Sequence, residues 1–394
     1  MMKIKHILTL LTISVTAALT FSSCEKAPPE TPESTGTKSP PAEAEAPATP
    51  GEIPNSASSP DHLVFEGSGA SGNGKHIVLL SGDEEYRSEE YMPMLAQILA
   101  RQGFKATVLF SLNEDGNVDP NAGENLSHPE ALDTADALIL GLRFRHWEGD
   151  AMDKFEAAFK RGTPIIATRT STHPFNFPGD SPWAHYSWKA SAEGGWEKGF
   201  GRQVIGETWV SHHGKHKVEG CRSYVEEANA NHPILNGVGT IFVTEDVYGA
   251  SPLEPATILL RGAVTETLEP DSAEVADKND PMQPVAWTRE YQHEDGTTNP
   301  IFTTTMGSAT GFMDESLRRL VLNGVFWGLG LDVPEKLDVT LPEGYLPSAF
   351  SFDEFRLNLK PANFIPGDPA FKEAPFGVRP PNKPKAPKDK AKKG

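Results

Sequence analysis

The sequence predicts an α/β fold built on a doubly wound, mostly parallel sheet with helices on both faces. The stretch at 75–91, KHIVLLSGDEEYRSEEY, shows the underlying pattern most clearly. Its apolar run at 77–80 is short and β-branched at its start, which is typical of a fully buried strand. A polar turn follows, and from Ser88 apolar residues recur at helical spacing. Strand and helix then alternate along the chain, which favours parallel pairing through right-handed crossovers.

Seven further strands and two further helices extend this pattern. The segments KATVLF at 105–110, DALILG at 136–141 and TPIIAT at 163–168 are short and apolar, as buried strands are. Apolar residues at helical spacing predict a helix over 150–161, between the strands at 136–141 and 163–168. The same spacing predicts a closing helix over 315–329. Later strands are predicted at 241–243, 257–260, 284–287 and 300–304.

The N-terminus predicts an exported lipoprotein. Two lysines precede an apolar run at 7–19 that is too short to span a bilayer and is typical of an export signal. The run ends in FSSC at 21–24, which resembles a bacterial lipobox, although Phe21 stands where Leu is usual. We therefore expect residues 1–24 to be a lipoprotein signal peptide, with the protein in the periplasm or at the cell surface and anchored to a membrane through lipidated Cys24. An ordinary cleaved signal with an incidental cysteine is the alternative.

Composition divides the remaining chain into four segments. Residues 25–72 are rich in Pro, Ala and Glu and predict a disordered tether, because such a sequence cannot bury a core. Residues 73–335 carry the α/β pattern, and the lysine-rich residues 379–394 predict a disordered basic tail. Residues 336–378 are too rich in Phe for a free linker and predict an irregular strap packed on the domain. The expected anchors of the strap are Phe350, Phe352 and Phe355.

Charge and cysteine content argue against several partners and cofactors. The formal net charge is −18, and an acidic protein repels nucleic acid. The sequence contains neither a GxGxxG nor a P-loop pattern, so no nucleotide cofactor is predicted. The two cysteines are Cys24 and Cys221, so acylation of Cys24 would leave no pair for an internal disulfide. The oligomeric state is left open.

Six motifs occur in an order that is known from one protein family. SGDEEYR follows the first strand, ATRTSTH follows the fourth, and GETWVSHHGKH ends a Gly-rich stretch. NHPI at 231–234 resembles a His-Pro motif, EDVY at 245–248 resembles an Asp-Glu-x-Tyr motif, and PVAWTREY with IFTTTMGS resembles the final strands. Together they resemble the trehalose-utilisation (ThuA-like) family over about residues 74–332. One departure is the pair at 307–308, Gly-Ser, where relatives commonly carry Gly-His.

The resemblance implies a flavodoxin-like sheet of the class I glutamine amidotransferase-like superfamily. It also implies a link to sugar metabolism, with the processing of oxidised (keto) glycosides as one role. Amidotransferases use a cysteine nucleophile on a sharp turn after a strand. The corresponding turn here, at 141–143, is Gly-Leu-Arg, and Cys221 lies outside any strand–turn–helix elbow and is expected to be a structural thiol. Amidotransferase activity is therefore rejected.

Candidate site residues follow the predicted strands, because ligands of doubly wound sheets bind beyond the carboxyl ends of the strands. We expect an acid–base pair formed by Asp83 or Glu84 with His212 or His213. Carboxylates and guanidinium groups bind sugar hydroxyls in opposite senses, and tryptophan faces stack on sugar rings. The candidate substrate-binding residues are Glu85, Arg87, Arg143, His146, Arg169, His173, Trp209, His216, Asp246 and Tyr248.

Several alternatives stay open at this stage. The acidic run is also favourable as a solvated turn at the entrance to a helix. His212 and His216 are four residues apart, a metal-ligand spacing on a helix, and a divalent metal at His212, His213 and His216 is an alternative. Gly214 interrupts that spacing and no HExxH motif is present, so no metal is predicted. A non-catalytic sugar-binding or surface-scaffold lipoprotein would need the same pocket as an enzyme.

Overall fold

An 11-stranded sheet runs through the structure, a computed structural model that describes residues 56–352 and 354–378. Its strands are β1 (Ser56–Ser58), β2 (His62–Phe65), β3 (His76–Gly82), β4 (Lys105–Leu109), β5 (Ala137–Leu142), β6 (Ile165–Thr168), β7 (Cys221–Val225), β8 (Phe242–Val243), β9 (Thr257–Val264), β10 (Gln283–Gln292) and β11 (Thr298–Thr304). A second, two-stranded sheet pairs β12 (Glu354–Arg356) with β13 (Phe376–Val378). The helices are α1 (Ser88–Arg101), α2 (Asp150–Lys160), α3 (Glu315–Gly328) and α4 (Pro369–Glu373).

Five adjacent strands at the centre of the large sheet are parallel, in the order β4-β3-β5-β6-β11. Counted along the chain this order is 2-1-3-4-5, which is the flavodoxin-like order. Antiparallel strands complete both edges, β2 and β1 beside β4, and β10, β9, β7 and β8 beside β11. The predicted α/β fold class is confirmed. The four N-terminal strands and three helices that the sequence predicts are present, with ends within two residues of the expected positions.

Helices cover both faces of the sheet and bury its central strand completely. Ile77 and Leu79 of β3 pack in one apolar cluster with α1 and α3, whereas Val78 and Leu80 pack in a second cluster with α2. This division follows from the alternation of side chains along a strand. All four side chains are fully buried, so truncation of any one to alanine is expected to cost about 2–5 kcal/mol.

The predicted tether differs from the structure at its C-terminal end. Within the segment expected to be disordered, β2 pairs antiparallel with β4 and buries Leu63 and Phe65. The glycine at 69 then lets the backbone lie against the end of α1, since a Cβ there would come within 2.4 Å of the Arg101 carbonyl oxygen. The physical reason is the open edge of β4, whose backbone groups need a partner strand.

The described part of the predicted strap, residues 336–352 and 354–378, lies along the domain and forms part of its core. Leu337, Val339 and Phe364 belong to the apolar cluster of α1 and α3. Arg318 donates to the Val339 carbonyl oxygen at 2.6 Å, and Gln102 donates to that of Asp338 at 2.8 Å. Further along, the Ser351 amide donates to the Glu85 carbonyl oxygen at 3.0 Å, so the chain returns to the carboxyl edge of the sheet on a path fixed by both apolar and polar contacts.

The predicted signal peptide with Cys24, the N-terminal part of the tether at 25–55 and the basic tail at 379–394 lie outside the described residues. Within the described residues, none of the helices has the length and apolar character needed to cross a membrane.

Candidate functional site

The carboxylate of Asp246 is the centre of a buried polar cluster at the carboxyl edge of the sheet. His212 Nδ1 donates to Asp246 Oδ2 at 2.6 Å, and Oδ1 lies 2.9 Å from His216 Nδ1 and 3.1 Å from Arg169 Nη2. Burial alone would raise the pKa of Asp246, but the Arg169 guanidinium and the two imidazoles lower it below its ordinary value. Asp246 is therefore an anion that holds three partners in place.

His216 connects this carboxylate to the turn after β3. Its Nδ1 faces Asp246, and its Nε2 lies 3.1 Å from Oε1 of Glu85, whose side chain is buried. The hydrogen bond to Asp246 and then the close contact with the Glu85 carboxylate raise the pKa of His216 to about 9. At neutral pH His216 is therefore an imidazolium between two carboxylates.

His212 is the more exposed imidazole of the pair. Its ring centroid lies 5.0 Å from that of His216, and its side chain is 37% exposed. Because Nδ1 is hydrogen-bonded to Asp246, the hydrogen bond sets the tautomer and leaves Nε2 on the opposite edge of the ring. The Asp246–His212 pair thus has the geometry in which a carboxylate orients an imidazole for proton transfer.

Arg169 holds the cluster in place from the buried side. It is buried directly after β6, with a backbone φ of 43°, in the left-handed region that costs a non-glycine residue free energy. Its guanidinium lies between the rings of Tyr86 and Tyr248, at 4.6 and 3.8 Å from their centroids. It donates to the Tyr86 hydroxyl at 2.9 Å and to the backbone carbonyl oxygen of Asp246 at 2.8 Å. Arg169 therefore positions Asp246 rather than reaching solvent.

Asp83 lies at the same edge of the sheet, but its carboxylate is buried and bonded to the surrounding backbone. Its side chain is fully buried. Oδ1 accepts hydrogen bonds from the backbone amides of Glu85 and Tyr86 at 2.8 and 3.1 Å, and Oδ2 accepts one from the Thr170 hydroxyl. These contacts occupy both oxygens and join the turn after β3 to the turn after β6.

Glu84 is paired with two arginines that follow β5. Arg143 contacts Glu84 Oε1, and Arg145 Nη2 lies 2.9 Å from Oε2. The Arg143 guanidinium also lies 4.7 Å from the ring centroid of Phe352 in the strap. Arg143 is the more exposed of the two guanidinium groups, so it is the one closer to a ligand at this edge.

Three residues proposed from the sequence have their contacts elsewhere. Arg87 is buried behind the acidic turn, in an ion pair with Glu89 at 3.2 Å. His146 packs on the loop after β4, where its ring contacts Gly123. His213 Nε2 donates to the Lys278 carbonyl oxygen at 2.6 Å.

Aromatic residues surround the exposed side of His212. Its ring centroid lies 5.5 Å from Trp209 and 5.7 Å from Tyr248. His173 lies behind them, 6.1 Å from Trp209, and burial lowers the pKa of His173 well below its ordinary value. A neutral, buried imidazole and two large rings thus form one wall of the cluster.

Sequence reasoning missed two side chains that complete the cluster. Tyr86 lies within the acidic turn and accepts a hydrogen bond from Arg169. Because charged residues flank it in the sequence, nothing in the pattern marks Tyr86 as part of a site. The ring centroid of Phe350 in the strap lies 5.0 Å from that of Tyr86 and 5.7 Å from that of His216, with the rings tilted against each other. The aromatic content of the strap predicts packing but does not indicate which side chains it reaches.

At this cluster, the described residues that could hold a metal differ from the expected set. His212, His216 and Asp246 offer three ligand atoms within 4.8 Å of one another, whereas His213 is not among them. The guanidinium of Arg169 already lies 3.1 Å from Asp246 Oδ1 and opposes a second cation there.

Cys221, the first residue of β7, is a buried thiol. Burial raises its pKa to about 12. A thiol in this state is neutral at physiological pH and is a poor nucleophile.

One family model matches most of the described domain. A family model described as ThuA, trehalose utilisation, matches residues 76–328. A crystal structure of a ThuA-like protein from Parabacteroides merdae ATCC 43184 is 14% identical with a TM-score of 0.42, covering 71% of this chain and 98% of that one. The mmIFT52 N-terminal domain is 11% identical with a TM-score of 0.32, covering 65% and 97%. The Trypanosoma brucei CTPS glutaminase domain with bound acivicin is 11% identical with a TM-score of 0.32, covering 67% and 98%. No curated protein matches the sequence.

Proposed function

This chain belongs to the ThuA family, described as trehalose utilisation, and from this premise we propose that its carboxyl-edge cluster binds a glycoside or keto-sugar and transforms it by acid–base chemistry. The observation that carries the proposal is the series of contacts that runs from Glu85 through an ion pair to His216, and from His216 through Asp246 to His212 by hydrogen bonds. This series ends on a partly exposed imidazole beside aromatic rings. Such a combination suits a ligand with both hydroxyl groups and apolar ring faces.

His212 is the proposed base. Asp246 holds Nδ1 at 2.6 Å, so Nε2 is the nitrogen that takes a proton from a water, a sugar hydroxyl or the carbon beside a ketone. The buried carboxylate then stabilises the imidazolium that forms, as a carboxylate does in other acid–base pairs. His216 stays protonated and keeps Asp246 fixed during this step.

The carboxylates take different roles from those expected from the sequence. In this proposal Asp83 and Glu84 are positioning residues, because their oxygens are bonded to Thr170, to backbone amides and to two arginines. Glu85 and Arg143 face the cluster from the β3 and β5 turns, where their side chains lie 3.9 Å apart. They are the proposed contacts for sugar hydroxyls.

The test is release of sugar from 3-keto-glycosides and from ordinary disaccharides. We expect turnover by the wild type and its loss in His212→Gln, with binding retained, because glutamine keeps a polar side chain but cannot exchange a proton. His232→Gln is the matched control, since that imidazole packs beside Trp327, away from the cluster. Saturable binding without turnover would instead favour the non-catalytic sugar-binding protein.

A divalent metal is the second candidate, favoured by the spacing of the three ligand atoms of His212, His216 and Asp246. The two imidazoles and the carboxylate would hold it, and it would supply Lewis-acid polarisation of a sugar oxygen. Elemental analysis of purified protein tests this: a stoichiometric transition metal that is lost in His216→Ala would support it.

We also propose that the protein is exported and lipid-anchored, as the leader at 1–24 predicts. Metabolic labelling with a fatty acid tests this, because the label should appear in the wild type and be lost in Cys24→Ser.

A further inference from the structure

A groove next to His212 lies outside the acid–base cluster. Its volume is about 420 Å³, and its lining includes Trp188, Lys189, Lys198 and Trp209. This volume lies within the usual range for small-molecule sites, about 300–1,000 Å³. Trp209 belongs both to the groove and to the wall beside His212, so the two sites are adjacent and share a side chain.

Two tryptophans form the apolar part of the groove. The ring centroids of Trp188 and Trp209 lie 5.9 Å apart, with the ring planes inclined by 57°. Trp188 is supported from behind by Phe144 at 5.1 Å. Both rings remain partly exposed, so they present neighbouring apolar faces to the groove.

The backbone below Trp209 is rigidly held. The Glu207 carboxylate accepts hydrogen bonds from the amides of Thr208 and Ser251 at 3.0 and 2.8 Å, and forms an ion pair with Arg202 at 3.0 Å. The Thr208 hydroxyl donates to the Trp188 carbonyl oxygen at 3.4 Å. The backbone that carries the two rings is therefore fixed before any ligand arrives, which lowers the entropic cost of binding.

Polar groups around the rings match a hydroxylated ligand. Lys189 Nζ lies 4.1 Å from the Trp188 ring centroid, and Lys198 and Glu197 also line the groove. Ammonium donors and a carboxylate acceptor beside apolar faces suit a pyranose, which has hydroxyls on its rim and C–H bonds on its faces.

We propose that this groove is a second sugar subsite, which holds the neighbouring ring of a disaccharide or longer glycan whose reacting ring lies at His212. The inference rests on the proposed carbohydrate function. In this proposal Trp188 and Trp209 determine how long a ligand the site accepts. Trp209 lies between the reacting sugar ring and the neighbouring sugar ring, and Trp188 contacts only the neighbouring one.

Isothermal titration with glucose, trehalose, maltose and cellobiose tests the subsite. At least one disaccharide should bind about tenfold more tightly than glucose, the gain expected from one added stacking contact. Trp188→Ala should abolish this difference while leaving glucose affinity unchanged. Trp196→Phe is the control, because Trp196 packs against Tyr186 outside the groove.

The outcomes separate the two proposals. Equal affinity for glucose and every disaccharide would overturn the second subsite and leave the carbohydrate function standing. Binding of none of the four sugars would also overturn the second subsite, whereas the carbohydrate function is overturned only if 3-keto-glycosides are neither bound nor turned over. If Trp188→Ala lowers the melting temperature, Lys189→Ala is a second probe, because the lysine substitution removes a groove contact but keeps the tryptophan ring. Unchanged disaccharide affinity in a folded Trp188→Phe, Lys189→Ala double variant would contradict the proposal.

Discussion

Nε2 of His216 lies 3.1 Å from Oε1 of Glu85, and this contact joins two segments that are far apart in the chain. Glu85 belongs to the turn after β3, where doubly wound sheets place their ligands. His216 belongs to the Gly-rich stretch that also carries His212 and Trp209. This ion pair between the two segments helps to hold the imidazoles over the carboxyl edge of the sheet.

Stability should fall at alkaline pH because of His216. The pKa of His216 is about 9 in the folded protein, above its ordinary value of 6.5. The protonated form is therefore favoured by folding, so its stabilising contribution is complete below pH 6.5 and is lost as the pH rises through 9. The measurement is urea unfolding at several pH values for the wild type and His216→Gln. We expect the difference in unfolding free energy between the wild type and His216→Gln to narrow from pH 6.5 to 10. A difference that stays constant would contradict the protonated state assigned to His216.

Replacing Asp83 should affect stability before it affects chemistry. Asp83→Ala leaves two backbone amides and the Thr170 hydroxyl without their acceptor, at an expected cost of about 3 kcal/mol or more. Asp83→Asn keeps an acceptor oxygen and should cost less. Chemical denaturation gives these values. A fully stable Asp83→Asn variant that binds sugar but has no turnover would instead restore the catalytic role expected from the sequence.

Glu84→Gln should destabilise the protein through its two arginines. The substitution removes the anion that Arg143 and the buried Arg145 share, and loss of one member of a buried ion pair costs about 3–5 kcal/mol. The exposed Glu148→Gln on the same connection is the matched control and should stay within about 0.5 kcal/mol of the wild type. Equal unfolding free energies for both variants would show that the pairing contributes nothing.

Phe350→Ala should weaken both the strap and the site. The side chain is 8% exposed and packs on Tyr86 and near His216, so its removal should cost up to about 3 kcal/mol. Sugar affinity should fall as well, because Tyr86 holds Arg169. Phe376→Ala, at an exposed position of the strap, is the comparison for thermal unfolding and sugar titration. A strap that only covered the core would lower the melting temperature without changing sugar affinity.

The parallel strands could be predicted because each is marked by a pattern within its own few residues. The run at 77–80 is apolar, short and followed by a turn, and these features specify a buried strand without reference to the rest of the chain. The four residues of β2 carry no such signal in a Pro-rich context, and they form a strand because β4 offers an open edge. β7 was also missed, since only Cys221 and Ser223 of its five residues are buried.

The candidate site could be located from the sequence but its roles could not be assigned. Polar residues after β3, β5 and β6 must meet at one edge of a parallel sheet. Which of Asp83, Glu84 and Glu85 faces the cluster depends on the hydrogen bonds of the turn and on Thr170, and spacing does not encode these. The same limit applies to His213, whose neighbours at 212 and 216 contact Asp246 while it contacts the Lys278 carbonyl.

The most direct test of the account is the imidazole NMR spectrum of the protein during titration with a disaccharide that the calorimetric panel selects. We predict saturable shifts of the His212 and His216 signals with one dissociation constant, while the His232 signal stays in place. Signals of His212 and His216 that do not move at saturating sugar would contradict the assignment of the carboxyl-edge cluster as the carbohydrate site.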